Sequence, residues 1–168
     1  WLPHLPEEYG GRGLGHVAMA SVSAEAAKTR FGPFALNAQA PDEGNMHTLL
    51  HWANEEQKKK YLIPLCEGRL RSCFAMTEPE VAGSGPTLIQ TRAVEDGDDW
   101  VMNGHKWFIS GARGANFAIL IARTEDDPDV AQAVNSAFLV ALTLAFTSLP
   151  LSGFMEMLGL EPGKPWAF

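Results

Sequence analysis

The chain has 168 residues, 46% hydrophobic and 20% charged, with a formal net charge of -7. That balance suits one globular domain or parts of two around a buried core, and it argues against disorder. It also argues against nucleic acid or an anionic membrane as the main partner, because both need a basic face. Cys66 and Cys73 fit neither a CxxC motif nor a zinc ribbon and read as free thiols in a reducing compartment. The longest apolar run, "SAFLVALTLAF" (136–146), is too short to span a membrane. "WLPHLPEEYGG" has no charged region followed by an apolar stretch, so no targeting segment is expected. A cytoplasmic location is expected, or a mitochondrial or peroxisomal one in a eukaryote. An opening without Met and an end at "GKPWAF" lead us to expect that both ends are missing.

Residues 14–72 read as helical. "LGHVAMASVSAEAAKTR" (14–30) is rich in small residues, which predicts a helix packed closely among others. "DEGNMHTLLHWA" (42–53) sets Met46, Leu49, Leu50 and Ala53 at helical spacing. "NEEQKKKYLIPLCEG" (54–68) opens with Asn54 as N-cap and Gln57 three residues on, a capping-box pattern; Pro64 is expected to end its regular part. From Arg69 the period changes. "LRSCFAM" (70–76), "LIQTRAVE" (88–95), "NFAILIART" (116–124) and "NSAFLVALT" (135–143) read as strands, and "TEDDPDVAQAV" (124–134) as an acidic loop. In "DWVMNGHKWFIS" (99–110), Asn103-Gly104 between apolar flanks predicts a hairpin turn. Helices first and an antiparallel sheet after them point to an α+β fold.

One loop has the composition of a binding site. In "CFAMTEPEVAGSGP" (73–86) an apolar strand runs into Thr77, an acid, a proline and a Gly-Ser-Gly turn. Backbone N–H groups freed by glycines, with Thr77 and Ser84 hydroxyls, make a donor cluster suited to pyrophosphate or to the polar edge of a ring. As a strand, "KWFIS" puts Phe108 and Ser110 on one side and Trp107 on the other, giving a flat apolar plate with a donor. Either feature alone is ordinary, since a GSG turn is usually a turn and strand aromatics are usually core.

"FAMTEPEVAGSG", "IQTRA", "GDDWVMNGHKWFISGA" and "ANFAILIART", in that order and preceded by "LPEEYGGRGLG" and "NEEQKKKYLIPLCEG", together resemble the acyl-CoA dehydrogenase family. The resemblance runs from about residue 3 to residue 143. It implies a partial N-terminal helical domain over 1–68 and a barrel-like or sandwich β-domain over 69–168. The family's C-terminal helical bundle is expected to be absent. FAD is the implied cofactor and acyl-CoA the implied substrate, with an electron-transfer flavoprotein as acceptor and a dimer or tetramer in the full-length protein. Phe74, Met76 and Thr77 would line the flavin, and Gly83 and Ser84 would lie near its pyrophosphate and the thioester arm. Phe108 takes the place of the family's usual Trp over the ring, followed by Ile109, and Ser110 the place of its Thr.

The family's catalytic glutamate comes from the missing bundle, so no acid here is assigned as base, Glu78 included. Gly85 stands where the family usually has Asp, and the tail from 144 follows the family only loosely. Two other readings stay beside the enzyme: a non-catalytic homologue that binds acyl-CoA or a protein, and an acyl-CoA oxidase that reduces oxygen. His47 and His51 in "HTLLH" have metal-ligand spacing, but the HExxH glutamate is missing and no third ligand suggests itself. Tyr9-Gly10-Gly11 and Gly13-x-Gly15 follow no strand and read as an entry loop, not a dinucleotide site.

Overall fold

A computed structural model describes residues 1–82, 85, 88–97 and 99–124, and the backbone of 135–141. The expected acidic loop and the tail from 144 lie outside the described residues. The chain divides into two compact units, Trp1–Cys73 with Arg113–Ala115, and Phe74–Ala112 with Asn116–Phe168.

The first unit is helical. Helices α1 (His16–Ala26), α2 (Gly32–Ala35) and α3 (Asp42–Trp52) are followed by a run made of α4 (Glu55–Gln57), a π-helical segment (Lys58–Leu62) and α5 (Ile63–Cys66). The capping box forms as its sequence predicts: the Gln57 N–H donates to Asn54 Oδ1 at 2.8 Å, and the Asn54 N–H donates to Gln57 Oε1 at 3.0 Å. Pro64 does not end the helix. The wider π turn precedes it, which relieves the clash a proline ring makes with the carbonyl one α-turn earlier, and the chain stays helical to Cys66. Leu2, Leu5, Met46, Leu49, Leu62 and Leu65 are buried here. Helix α1 differs from expectation: none of its residues is buried, and Val17 is 85% exposed. Alanine-rich composition favours the helix itself and supplies little apolar area to bury. Burial pushes the free thiols of Cys66 and Cys73 up to about 11, so both are inert at neutral pH.

The unit boundary falls inside β1 (Ser72–Ala75). The other strands are β2 (Arg92–Asp96), β3 (Asp99–Asn103), β4 (Phe117–Arg123) and β5 (Asn135–Ala141). The sheet order is β1-β4-β2-β3, with β5 also on β4. Among the described residues this sheet is open and does not close into a barrel. It is mostly antiparallel, with one parallel bridge, Arg92↔Arg123, between β2 and β4. Strand β4 carries the core of this unit: Phe117 to Ala122 are all buried.

The hairpin is not where Asn103-Gly104 predicts it. β2 and β3 pair from Arg92↔Asn103 to Asp96↔Asp99, so the chain turns between Asp96 and Asp99, where Gly97 takes φ 65. Gly104 has a different reason to be glycine: a Cβ there would stand 2.2 Å from Thr91 Oγ1. No strand follows it either, because the chain after Asn103 leaves the hairpin to bond elsewhere. β2 likewise starts later than "LIQTRAVE" suggests, since the Gln90 and Thr91 N–H groups donate to a carboxylate instead of to a neighbouring strand.

Candidate functional site

The second unit joins the end of β1 to the segment after β3. Lys106 Nζ donates to Met76 O at 2.9 Å and to Glu78 Oε1 at 2.8 Å, and the Trp107 N–H donates to Thr77 O at 3.1 Å. Residues 76–78 and 106–107 are thereby held side by side. The Glu78 carboxylate also accepts the Gln90 N–H at 2.6 Å, the Thr91 N–H at 2.9 Å and the Thr91 hydroxyl. Glu78 and Lys106 are each only 2% exposed.

Electrostatics follow from that set. Burial alone would push the Glu78 carboxyl up, but the hydrogen bonds from Lys106, Thr91 and the two backbone amides outweigh it and leave its pKa below the ordinary range. Burial pulls the Lys106 ammonium below its usual value, and Glu78 opposes that pull. Glu78 is therefore an ionised anchor that accepts four hydrogen bonds, which suits it to hold a loop and not to move protons.

Phe108 follows directly. It has φ 49, a left-handed conformation that costs a bulky residue about 1–2 kcal/mol, and its ring is 81% exposed. The Trp107 ring lies beside it, centroids 4.5 Å apart at 43°, and is 41% exposed. This overturns the strand geometry expected of "KWFIS", which set the two rings on opposite sides: hydrogen bonds from Lys106 and Trp107 to residues 76–78 pull the backbone out of the extended form. Ile109 is half-buried, and Ser110 is exposed in a turn that the Ala112 N–H closes onto Ile109 O at 3.2 Å. Phe74, Met76 and Thr77 are half-buried along the end of β1. Gly83 and Ser84 lie outside the described residues.

The groups here compatible with a flat heteroaromatic ligand are the Thr77 and Ser110 hydroxyls and the exposed Phe108 ring. A strand end with a hydroxyl residue is locked against a segment whose aromatic ring is held out in a strained conformation. The sequence reading passed over Lys106 and Thr91. The signal was there in "GHKWFIS", where one lysine sits among apolar and aromatic neighbours and needs an acid if it is buried.

Helices followed along the chain by a mostly antiparallel sheet place it in the α+β class. Residues 1–69 match the family profile "Acyl-CoA dehydrogenase, N-terminal domain", and residues 73–154 match "Acyl-CoA dehydrogenase, middle domain". Acyl-CoA dehydrogenase family member 11 of Homo sapiens is 41% identical over 146 residues, which cover 84% of this chain and 19% of that protein. A Mycobacterium abscessus structure assigned to the acyl-CoA dehydrogenases matches with TM-score 0.78 at 37% identity, over 85% of this chain and 35% of that one. A glutaryl-CoA dehydrogenase from Mycobacterium smegmatis, in complex with FADH2, matches with TM-score 0.63 at 33% identity, over 82% of this chain and 33% of that one. The chain belongs to the acyl-CoA dehydrogenase family. It spans about a fifth of the length of that human relative, 19%.

Proposed function

We propose that this chain is the cofactor-holding portion of an FAD-dependent acyl-CoA dehydrogenase, which introduces a double bond between the α and β carbons of an acyl-CoA thioester. The observation that carries the reading is the junction at Thr77 and Trp107, which sets the strained, exposed Phe108 beside the end of β1. In this reading Phe74, Met76 and Thr77 would lie along the flavin, Phe108 would cover its ring with Ile109 beside it, and the Ser110 hydroxyl would donate to it. Gly83 and Ser84 serve the pyrophosphate and the thioester arm. Bound FAD would supply the two-electron acceptor that this desaturation needs, and the α-proton would need a carboxylate base.

The chain's own residues supply position. Lys106 and Glu78 pin the Met76–Glu78 backbone, so that the Thr77 main chain keeps one orientation. Glu78 is not the base, because its oxygens already accept from Lys106, Thr91 and Gln90. The electrons pass on to an electron-transfer flavoprotein, and the complete protein works as a dimer or tetramer in a reducing compartment. The second reading is a non-catalytic homologue that binds acyl-CoA or a protein without redox chemistry.

The visible spectrum of the purified chain, with FAD and then acyl-CoA added, tests both. Flavin that binds and bleaches supports the dehydrogenase and requires a base from elsewhere in the protein. Flavin that binds without bleaching supports a working cofactor loop whose base is supplied from outside these residues. A chain that takes up no flavin overturns the cofactor assignment and favours the second reading. Fast reoxidation of the reduced flavin by air would favour an oxidase.

A further inference from the structure

We propose that the first unit carries a divalent transition-metal site, best suited to zinc, formed by His4, Glu43 and His47. One ligand atom from each lies within 4.8 Å of the other two. His4 Nδ1 and His47 Nε2 are 3.2 Å apart. Two nitrogens bound to tetrahedral zinc at about 2.0–2.1 Å stand about 3.3–3.4 Å from each other, so the pair already has ligand spacing. Two imidazoles and a carboxylate make a donor set that zinc accepts readily, with a fourth position left for water.

The site is built, and not only close in space. Glu43 and His47 are four residues apart on α3, which puts both side chains on one face of the helix. His4 comes from a segment fixed on either side: Leu2 and Leu5 are 5% and 0% exposed, and their carbonyls accept the Arg12 N–H at 2.9 Å and the Gly13 N–H at 2.8 Å. The other ring nitrogen of His4, Nε2, is 3.3 Å from Asn37 O. Donation there fixes the tautomer and leaves the Nδ1 lone pair facing His47, the orienting bond that metal-bound histidines commonly have. Asn37 is itself held, its Nδ2 donating to Leu65 O at 2.9 Å and its Oδ1 accepting from Arg71 at 2.9 Å. Of the two histidines in "HTLLH" only His47 takes part, and the histidine it meets stands 43 residues before it. His51 stands one turn further along α3, its ring 6.4 Å from that of His47, and is not part of the cluster.

A metal here would staple the N-terminal segment to α3. The plain alternative is a neutral hydrogen bond, with His47 Nε2–H donating to His4 Nδ1, and the experiment separates the two. The metal-stripped chain is titrated with zinc by calorimetry and with cobalt(II) by visible absorption, beside His4→Ala, Glu43→Gln, His47→Ala and His51→Ala, each checked by circular dichroism. One equivalent should bind, with the absorption bands of tetrahedral cobalt. Glu43→Gln and His47→Ala should each weaken binding by at least about tenfold, and His51→Ala should leave it unchanged. Zinc should also raise the unfolding temperature of the parent chain and not that of His47→Ala. Failure to bind one equivalent, or binding that survives Glu43→Gln and His47→Ala but is lost in His51→Ala, overturns the site. Glu43→Gln keeps the helix and changes only a charge, so the test stands if a histidine variant fails to fold.

Discussion

Lys106 decides whether the loop after β1 stays in place. Its ammonium is the only charge partner of Glu78 among the described residues, and both groups are out of water. Lys106→Met should therefore destabilise the chain by about 3–5 kcal/mol in urea unfolding, because it leaves a buried carboxylate with backbone and hydroxyl donors alone. The double variant Lys106→Met/Glu78→Gln should recover part of that loss; a double variant no better than the single would sink the account. The pH dependence has a definite sign. The folded pKa of Glu78 lies below its ordinary 4.5, so its contribution is present above 4.5 and lost as the pH falls through the lower folded value. Glu78→Gln should flatten that acid limb of the stability curve. Neither partner was legible as a pair: they sit 28 residues apart, and no local pattern links an acid in a "TEP" turn to a lysine in "HKW". Asp42 is the same kind of case. In sequence it is a first-turn acid of α3, but folded it is 3% exposed and accepts from Gln39, Arg71 and both the N–H and hydroxyl of Ser72.

Among the elements, what could be read locally was read well. The apolar spacing of α3 and the Asn54 capping box concern residues within one or two turns, and both form where the pattern puts them. β4 and β5 likewise fall inside the runs of apolar residues that announce them. Expectation failed where a tertiary bond outbid a local preference. Asn103-Gly104 has the composition of a type I′ turn, yet the turn is taken two residues after Glu95, and Gly104 serves a close approach to Thr91. The two glycines should therefore respond differently. Gly97→Ala should cost about 1 kcal/mol, from its φ of 65 alone, with open space around the new methyl. Gly104→Ala must displace Thr91, which also bonds Glu78, and should cost about 1–3 kcal/mol or more. Chemical denaturation of the two variants checks the order, and equal costs would return Gly104 to the role of an ordinary turn residue. Phe108 belongs here as well, since a strand period placed its ring correctly on no face at all. Its position comes from two hydrogen bonds that no periodicity encodes.

At the scale of the whole molecule, the question is what an exposed apolar surface does in water. In the first unit Val17, Phe31, Phe34 and Trp52 are 85%, 79%, 57% and 86% exposed. On the hairpin of the second unit Val94, Trp100 and Val101 are 57%, 40% and 45% exposed. Scattered single residues of this kind are normal on a soluble protein, but large side chains in such number within 168 residues favour association. Each unit offers its own set, so the two can be tested separately. The chain alone should run above its monomer mass of 18.3 kDa in light scattering, increasingly so with concentration. Val17→Glu with Trp52→Lys should shift it toward monomer if the helical unit drives association, and Val94→Thr with Val101→Thr should do so if the hairpin does. The net charge of -7 works against association by mutual repulsion, and added salt should therefore strengthen it. A monodisperse monomer at every concentration and ionic strength would mean that these side chains are too scattered to form a contact. Association relieved by the helical pair alone would place the contact surface on the unit that the cofactor reading leaves without a ligand.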